Sequence, residues 1–194
     1  MSIQNLISFF DAYLPLGEVE KQELRKRAEV RRIKRRQFIL QEGDVCRHYF
    51  FVVEGCFKMY GVDEKGGEHN ILFAAENDWI TDIGSFHSDR PTRLYIEAME
   101  PAKVIQIHKP DLLYFYRYHP TFDRNFRVIT ENRLVEQQNR VLQNISSTAE
   151  ERYLSFLEQY PQLASRIPNS QIASYLGITP EFLSKIRRKL SSEA

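Results

Sequence analysis

Four side chains near the end of the sequence have the types and spacing to touch a nucleic acid: Glu181, Ser184, Lys185 and Arg188. At about 100° per residue of α-helix they fall on one side of a segment running to Leu190, with Arg187 and Lys189 at its flanks. A carboxylate there accepts from a cytosine amino group, cations meet phosphates or guanine edges, and a hydroxyl serves either role. Phe182, Leu183, Ile186 and Leu190 fall on the other side, the one expected to pack. Upstream, Ile172, Ala173 and Leu176 form a second short apolar stripe, and Ala173 is small enough for two helices to cross closely. Between the stripes, Gly177 stands where the chain must turn sharply, which favours a residue free to take positive φ. Thr179 suits an N-cap, and Pro180 at the first helical position loses nothing by lacking an N–H. The stretch Ser170–Leu190 thus has the pattern of a helix-turn-helix, whose second helix enters a major groove. Alone, it equally fits a helical hairpin with a solvated basic face. The elements around it decide between the two.

The chain has 194 residues, 42% hydrophobic and 12% aromatic, enough for packed cores in one or two domains. No apolar run nears the roughly 20 residues of a membrane span. The first residues, Met1 to Leu16, have neither the basic start nor the small-residue cleavage site of a signal peptide. A cytoplasmic protein without membrane association is therefore expected. The net charge of +1 hides an uneven distribution. From Ser165 onward there are five basic residues against two acidic ones, and Arg25–Arg36 holds eight basic residues against Glu29 alone. That second run reads as a solvated helix end and strand face, with a further phosphate contact as the alternative. Cys46 and Cys56 cannot supply the four ligands of an iron–sulfur cluster or structural zinc site, and two cytoplasmic thiols are expected to stay reduced.

The elements that must position the C-terminal motif follow from periodicity. Residues 3–14 and 18–29 carry apolar spacing near 3.6 and predict two short helices, separated around Pro15–Gly17. From Gln37 to His108 the pattern changes to short runs rich in β-branched and aromatic residues: Phe38–Leu40, Tyr49–Val53, Phe57–Tyr60, Asn70–Phe73, Tyr95–Met99 and Val104–Ile107. Turn signals such as Glu42-Gly43-Asp44, Glu54-Gly55 and Asp63–Gly67 lie between them, which predicts an antiparallel sandwich or barrel. Lys109-Pro110 begins a helical region. Pro120 precedes a long helix from about Thr121 to Asn144, in which Val128, Val135 and Leu142 recur at seven beside Leu134 and Val141. A narrow apolar stripe on a charged helix predicts a two-stranded seam between two copies; a helix packed on its own domain is the alternative. A further helix, Glu150–Tyr160, leads to the final motif.

A β-roll, then a long helix, then a C-terminal helix-turn-helix is an order of elements that resembles the Crp/Fnr family of bacterial transcription regulators. Phe38-Ile39-Leu40-Gln41-Glu42-Gly43-Asp44 resembles the family's glycine turn, and Tyr49-Phe50-Phe51-Val52-Val53-Glu54-Gly55 its strand-and-turn. Glu76-Asn77-Asp78-Trp79-Ile80 through Phe86 resembles the approach to its nucleotide cassette, and Gln171-Ile172-Ala173 with Leu176-Gly177 and Thr179 its helix-turn-helix. The resemblance covers nearly the whole chain and is nearest to short Crp-like regulators of Bacteroidetes. It implies an α+β fold: an N-terminal antiparallel β-roll of the double-stranded β-helix, cyclic nucleotide-binding-like kind, a dimerisation helix, and a helical helix-turn-helix domain lacking a full wing. The corresponding ranges are 1–118, 119–145 and 146–194. It also implies a homodimer on a palindromic operator in double-stranded DNA, with RNA polymerase as a further partner. Base reading would fall to Glu181 and Lys185, and Ser184 would face the DNA beside them. Phosphate contacts would fall to Ser170, Gln171 and Thr179, and Arg187 and Arg188 would serve either role.

The sequence departs from the family in two places. Cyclic-AMP binders carry a Gly-Glu-Leu whose glutamate takes the ribose, and a later Arg-Ser whose arginine takes the cyclic phosphate. The aligned residues here are Thr81-Asp82-Ile83 and Thr92-Arg93. A one-residue shift along a strand turns a side chain to the opposite face, so the phosphate would lose a charge-assisted partner. The expected effector cradle is Asp82, Ile83, Gly84, Ser85, Thr92 and Arg93, open to a small-molecule effector other than cyclic AMP or to none. No cofactor is expected. The second departure lies in the recognition helix, where Pro180 replaces a base-reading arginine and no two-stranded wing follows, which predicts fewer phosphate contacts.

Two other classes compete. A cupin enzyme needs a His-x-His and a downstream glutamate in one cluster, whereas His48, His69, His87, His108 and His119 stand apart, so an enzyme is not expected. A ligand-sensing dimer acting through a protein partner, with weak or no DNA binding, is the stronger rival. A steep salt dependence of duplex binding separates it from a regulator.

Overall fold

The computed structural model of the chain describes residues 2–193. It begins with two helices, α1 (Ser2–Asp11) and α2 (Glu18–Arg27). Strands β1 (Ala28–Ile33), β2 (Phe38–Leu40), β3 (His48–Glu54), β4 (Phe57–Val62), β5 (Glu68–Ala74) and β6 (Trp79–Ile80) follow. Then come α3 (Ile83–Ser88), β7 (Leu94–Ala98) and β8 (Ala102–His108). The rest is helical: α4 (Lys109–Tyr118), α5 (Pro120–Ser146), α6 (Ala149–Gln159), α7 (Asn169–Leu176) and α8 (Pro180–Glu193). The fold is α+β, with two four-stranded sheets in the orders β1-β8-β3-β6 and β2-β7-β4-β5.

The second helix ends at Arg27, two residues earlier than its periodicity suggests. From Ala28 the backbone instead pairs with β8 in unbroken antiparallel register, Ala28 opposite Ile107 through Ile33 opposite Ala102. The basic run Arg25–Arg36 is therefore split between a helix end and an edge strand, on which Val30 and Arg32 face solvent. Gly55 shows why the tight turn after β3 needs glycine: φ is 92°, and a Cβ there would lie 2.7 Å from the Cβ of Ala102.

The chain divides into two compact units, residues 1–59 with 73–132, and residues 60–72 with 133–194. The division falls inside α5, after Asn132, rather than at the helix ends. The hairpin tip 60–72 groups with the C-terminal helices, a grouping that periodicity along the chain does not reveal.

The first unit has an aromatic core. Phe10, Phe122 and Phe126 pack with Trp79, Tyr49 and Phe115, with neighbouring ring centroids 4.4–6.2 Å apart. Two buried polar side chains fix the start of α5. The Glu20 carboxylate accepts from Phe122 N at 3.1 Å and from Gly17 N at 2.8 Å, so one anion satisfies two helix starts. Asn125, fully buried, accepts from Leu14 N and donates to Leu14 O.

In the second unit, Tyr153, Phe156, Leu163, Ile172, Leu176, Leu183 and Ile186 form the core. Thr148 and Glu151 close a capping box at the start of α6, and those bonds hold the Glu151 carboxyl below its usual range. The 27 residues of α5, about 40 Å at helical rise, change character along their length. Phe122, Asn125, Phe126 and Ile129 are buried, whereas Leu134, Val135, Val141, Leu142 and Ile145 are exposed, Ile145 at 80%.

Candidate nucleic-acid interface and effector cradle

The helix-turn-helix forms as its residue types dictate. Gly177 takes φ 67°, its N–H closes on Ser174 O at 3.2 Å, and Ile178 N reaches Ala173 O at 3.0 Å, which satisfies the last carbonyls of α7. The Thr179 hydroxyl then accepts from Phe182 N at 3.2 Å, capping α8. Fully buried Ala173 lets α7 and α8 pack closely, with Leu183 and Ile186 turned inward.

On the other side of α8, Glu181, Ser184, Lys185 and Arg188 are all exposed. The Ser184 hydroxyl donates to Pro180 O at 2.9 Å, and Glu181, Lys185 and Arg188 have no partner among the described residues. The two flanking cations are committed within the unit. Arg187 donates to the side chain of Asn169, and Lys189 pairs with Glu150 at 2.8 Å. They brace α8 against α7 and α6, so Arg187 has a structural bond where the sequence suggested a DNA contact. One packing expectation fails: Phe182, placed by periodicity on the inner side, is 48% exposed. It sits at the edge of the apolar stripe, about 40° from Ile186 around the helix, and Leu183 and Ile186 fill the inner side without it.

Ser170 and Thr179 are exposed, whereas Gln171 is engaged by the hairpin tip. Asn70, 4% exposed, donates from Nδ2 to the Gln171 side-chain oxygen and to Gln171 O, each at 2.9 Å. Asn70 N donates to Ser174 Oγ, which in turn donates to Glu68 O. The Arg140 guanidinium lies 3.9 Å over the Tyr175 ring and donates to the carbonyls of Ile71, Asn70 and Tyr175. The hairpin 60–72 is thereby stitched to α7. The signal that could have found it is the pairing of an asparagine in a strand with an arginine on a helix, and nothing in periodicity links residues 70 apart.

The β-roll brings together three of its six expected cradle residues. Asp82 caps α3 through Ser85 N at 3.1 Å and accepts a 2.5 Å bond from the hydroxyl of Thr92. Thr92 is 4% exposed, with its backbone bonded to Asp44 O and Gly43 N. Ser85 is buried, donates to Arg90 O and accepts from Cys46 N. Ile83, Gly84 and Arg93 are exposed. Thr92 and Asp82, the two positions the resemblance aligns with ligand-contacting residues, are thus bonded to each other. Among the histidines, His48 and His108 face each other across β3 and β8 with rings 4.9 Å apart. Burial, then the charge of His108, pushes His48 below its ordinary value.

No helix of the described residues is long and apolar enough to cross a membrane. Residues 30–119 match the family of the cyclic nucleotide-binding domain. The class that the fold defines is a cyclic nucleotide-binding β-roll followed by a helical unit ending in a helix-turn-helix. Three solved structures share it. FixK2 from Bradyrhizobium japonicum is 21% identical, with a TM-score of 0.75 over 86% of this chain and 85% of that one. The c-di-GMP responsive global regulator CLP of Xanthomonas campestris is 13% identical, with a TM-score of 0.71 over 89% and 90%. A protein of Eubacterium rectale assigned to the crp/fnr family of transcriptional regulators is 16% identical, with a TM-score of 0.71 over 96% and 88%. This chain has the fold of these three proteins, one of which is assigned to the crp/fnr family. No curated protein matches the sequence.

Proposed function

We propose that the protein is a DNA-binding transcription regulator of the Crp/Fnr type, cytoplasmic, not an enzyme, and active as a homodimer. The observation that carries this reading is the outer face of α8, where Glu181, Lys185 and Arg188 stand exposed and unpaired on a helix held by a glycine turn. Charged groups kept free of partners in the unit are available to phosphates and base edges. The exposed row Leu134, Val135, Val141, Leu142 and Ile145 on α5 supports dimerisation. Side chains of this size at heptad spacing are ordinarily buried against a second helix. Two protomers joined there would present two recognition helices to half-sites about 34 Å apart on a palindromic operator, from which the dimer would act on RNA polymerase.

The effector, on this reading, is not cyclic AMP. A cyclic phosphate would have to part Asp82 from Thr92 and would find no guanidinium at position 92. A different small molecule bound in the β-roll would bias the arrangement of the two long helices.

Native mass spectrometry of protein purified from its own host tests the reading. A dimer mass at micromolar concentration that enriches specific duplexes from a random pool supports it; a monomer that enriches none refutes it.

A further inference from the structure

Phe182 is the unexplained side chain on α8. It is 48% exposed, enters no ring contact among the described residues, and its backbone N–H is fixed by the Thr179 hydroxyl in the first helical turn. The first turn of a recognition helix is the part that meets base edges. Phe182 follows Glu181 directly and lies about 60° from Lys185 and about 20° from Lys189 around the helix. The aromatic ring thus borders the exposed charged face rather than the core. It is also alone: no other side chain of α8 is a large exposed apolar group, so the surface lacks the contiguous apolar area a protein partner would bury.

One apolar group is displayed in a major groove, the 5-methyl of thymine. We infer that Phe182 is a specificity-determining residue that reads a thymine through this methyl group. The inference rests on the proposed DNA binding and adds a preference that Glu181 and Lys185 cannot supply, because a carboxylate and an ammonium reward hydrogen-bonding edges and gain nothing from a methyl. Phe182 and Glu181, adjacent in the first turn, would place a thymine next to the cytosine read by Glu181 in each half-site. A phosphate-directed residue would show none of this, since the backbone is the same at every step.

The test uses the full chain and a duplex enriched by it from a random pool, in which each thymine is replaced in turn by deoxyuridine, removing only the methyl. Removing one buried methyl changes an equilibrium about fourfold. At one thymine per half-site, uracil is expected to weaken binding by about that factor. In Phe182→Ala the thymine and uracil duplexes should bind alike, with the salt dependence kept, and Phe182→Leu should retain part of the discrimination. Circular dichroism of the variants confirms the fold, and the uracil scan of the unmodified protein stands without them. Enrichment of a duplex in which no thymine is sensitive, or a uracil penalty that survives in Phe182→Ala, overturns the inference alone. Failure to enrich any duplex overturns the DNA-binding reading and this inference with it.

Discussion

The cradle in the β-roll and the outer face of α8 hold polar residues at positions where the family resemblance puts ligand contacts, yet they have opposite characters. In the cradle, Asp82, Ser85 and Thr92 spend their hydrogen-bonding capacity on one another and on the backbone, and Thr92 is buried. On α8, Glu181, Lys185 and Arg188 are exposed and unpaired, while Arg187 and Lys189, one position away, are braced internally. The difference separates a site whose polar groups are satisfied within the fold from one whose charged groups are left to solvent. The Asp82 carboxylate has its donor, Thr92, within the fold, and a buried polar group left unsatisfied would cost about 1–3 kcal/mol. No such pressure acts on α8, where water satisfies the exposed charges.

The largest effect that sharpens this contrast should come from Arg140→Ala. It removes the donor to three carbonyls and the stack on Tyr175. A cost of about 3 kcal/mol is expected for docking of the hairpin. Hydrogen exchange should rise in residues 60–72 and at the start of α7 and stay unchanged in β3 and β8. Next comes Thr92→Val, which keeps the shape and deletes the donor to Asp82; thermal unfolding should report a loss of about 2 kcal/mol. An unaltered melting curve would mean that the cradle is not closed by this bond. Lys185→Ala should leave stability unchanged and relax base preference at one operator position by about 1–2 kcal/mol. Uniform weakening across sequences would assign Lys185 to phosphate instead.

The smallest expected effect concerns His48. Its folded-state value lies below the ordinary 6.5. The unfolded chain therefore takes up the proton first, and stability supplied by neutral His48 is present above about pH 6.5 and lost as pH falls through the folded value. His48→Gln should remove that loss, so the two proteins converge at pH 8 and the variant gains relative stability at pH 5, read by urea titration.

Much of this was legible in the residues. The strand runs, the long helix and the glycine turn were visible because periodicity and turn chemistry are local. The glycine and threonine of the turn do what their types require at Gly177 and Thr179. What escaped was decided by distant partners. The two-residue β6 and the short α3 carry too few residues for a period. Residues 28 and 29 read as helix until pairing with β8 claimed them. Phe182 fell on the apolar side of a helical wheel, yet Leu183 and Ile186 had already filled the core. The internal partners of Arg187, Lys189 and Gln171 carry no local signal, because Asn169, Glu150 and Asn70 lie 18, 39 and 101 residues away. The Asp82–Thr92 bond in the cradle joins residues ten apart and left no local signal.

The salt dependence of duplex binding separates a DNA-reading α8 from a merely solvated one. Two protomers each placing at least Arg188 on a phosphate should give a straight log–log plot of affinity against salt with a slope of about −1.8 or steeper. A flat response, or no binding at low salt, would contradict the assignment of α8 as a DNA-reading helix.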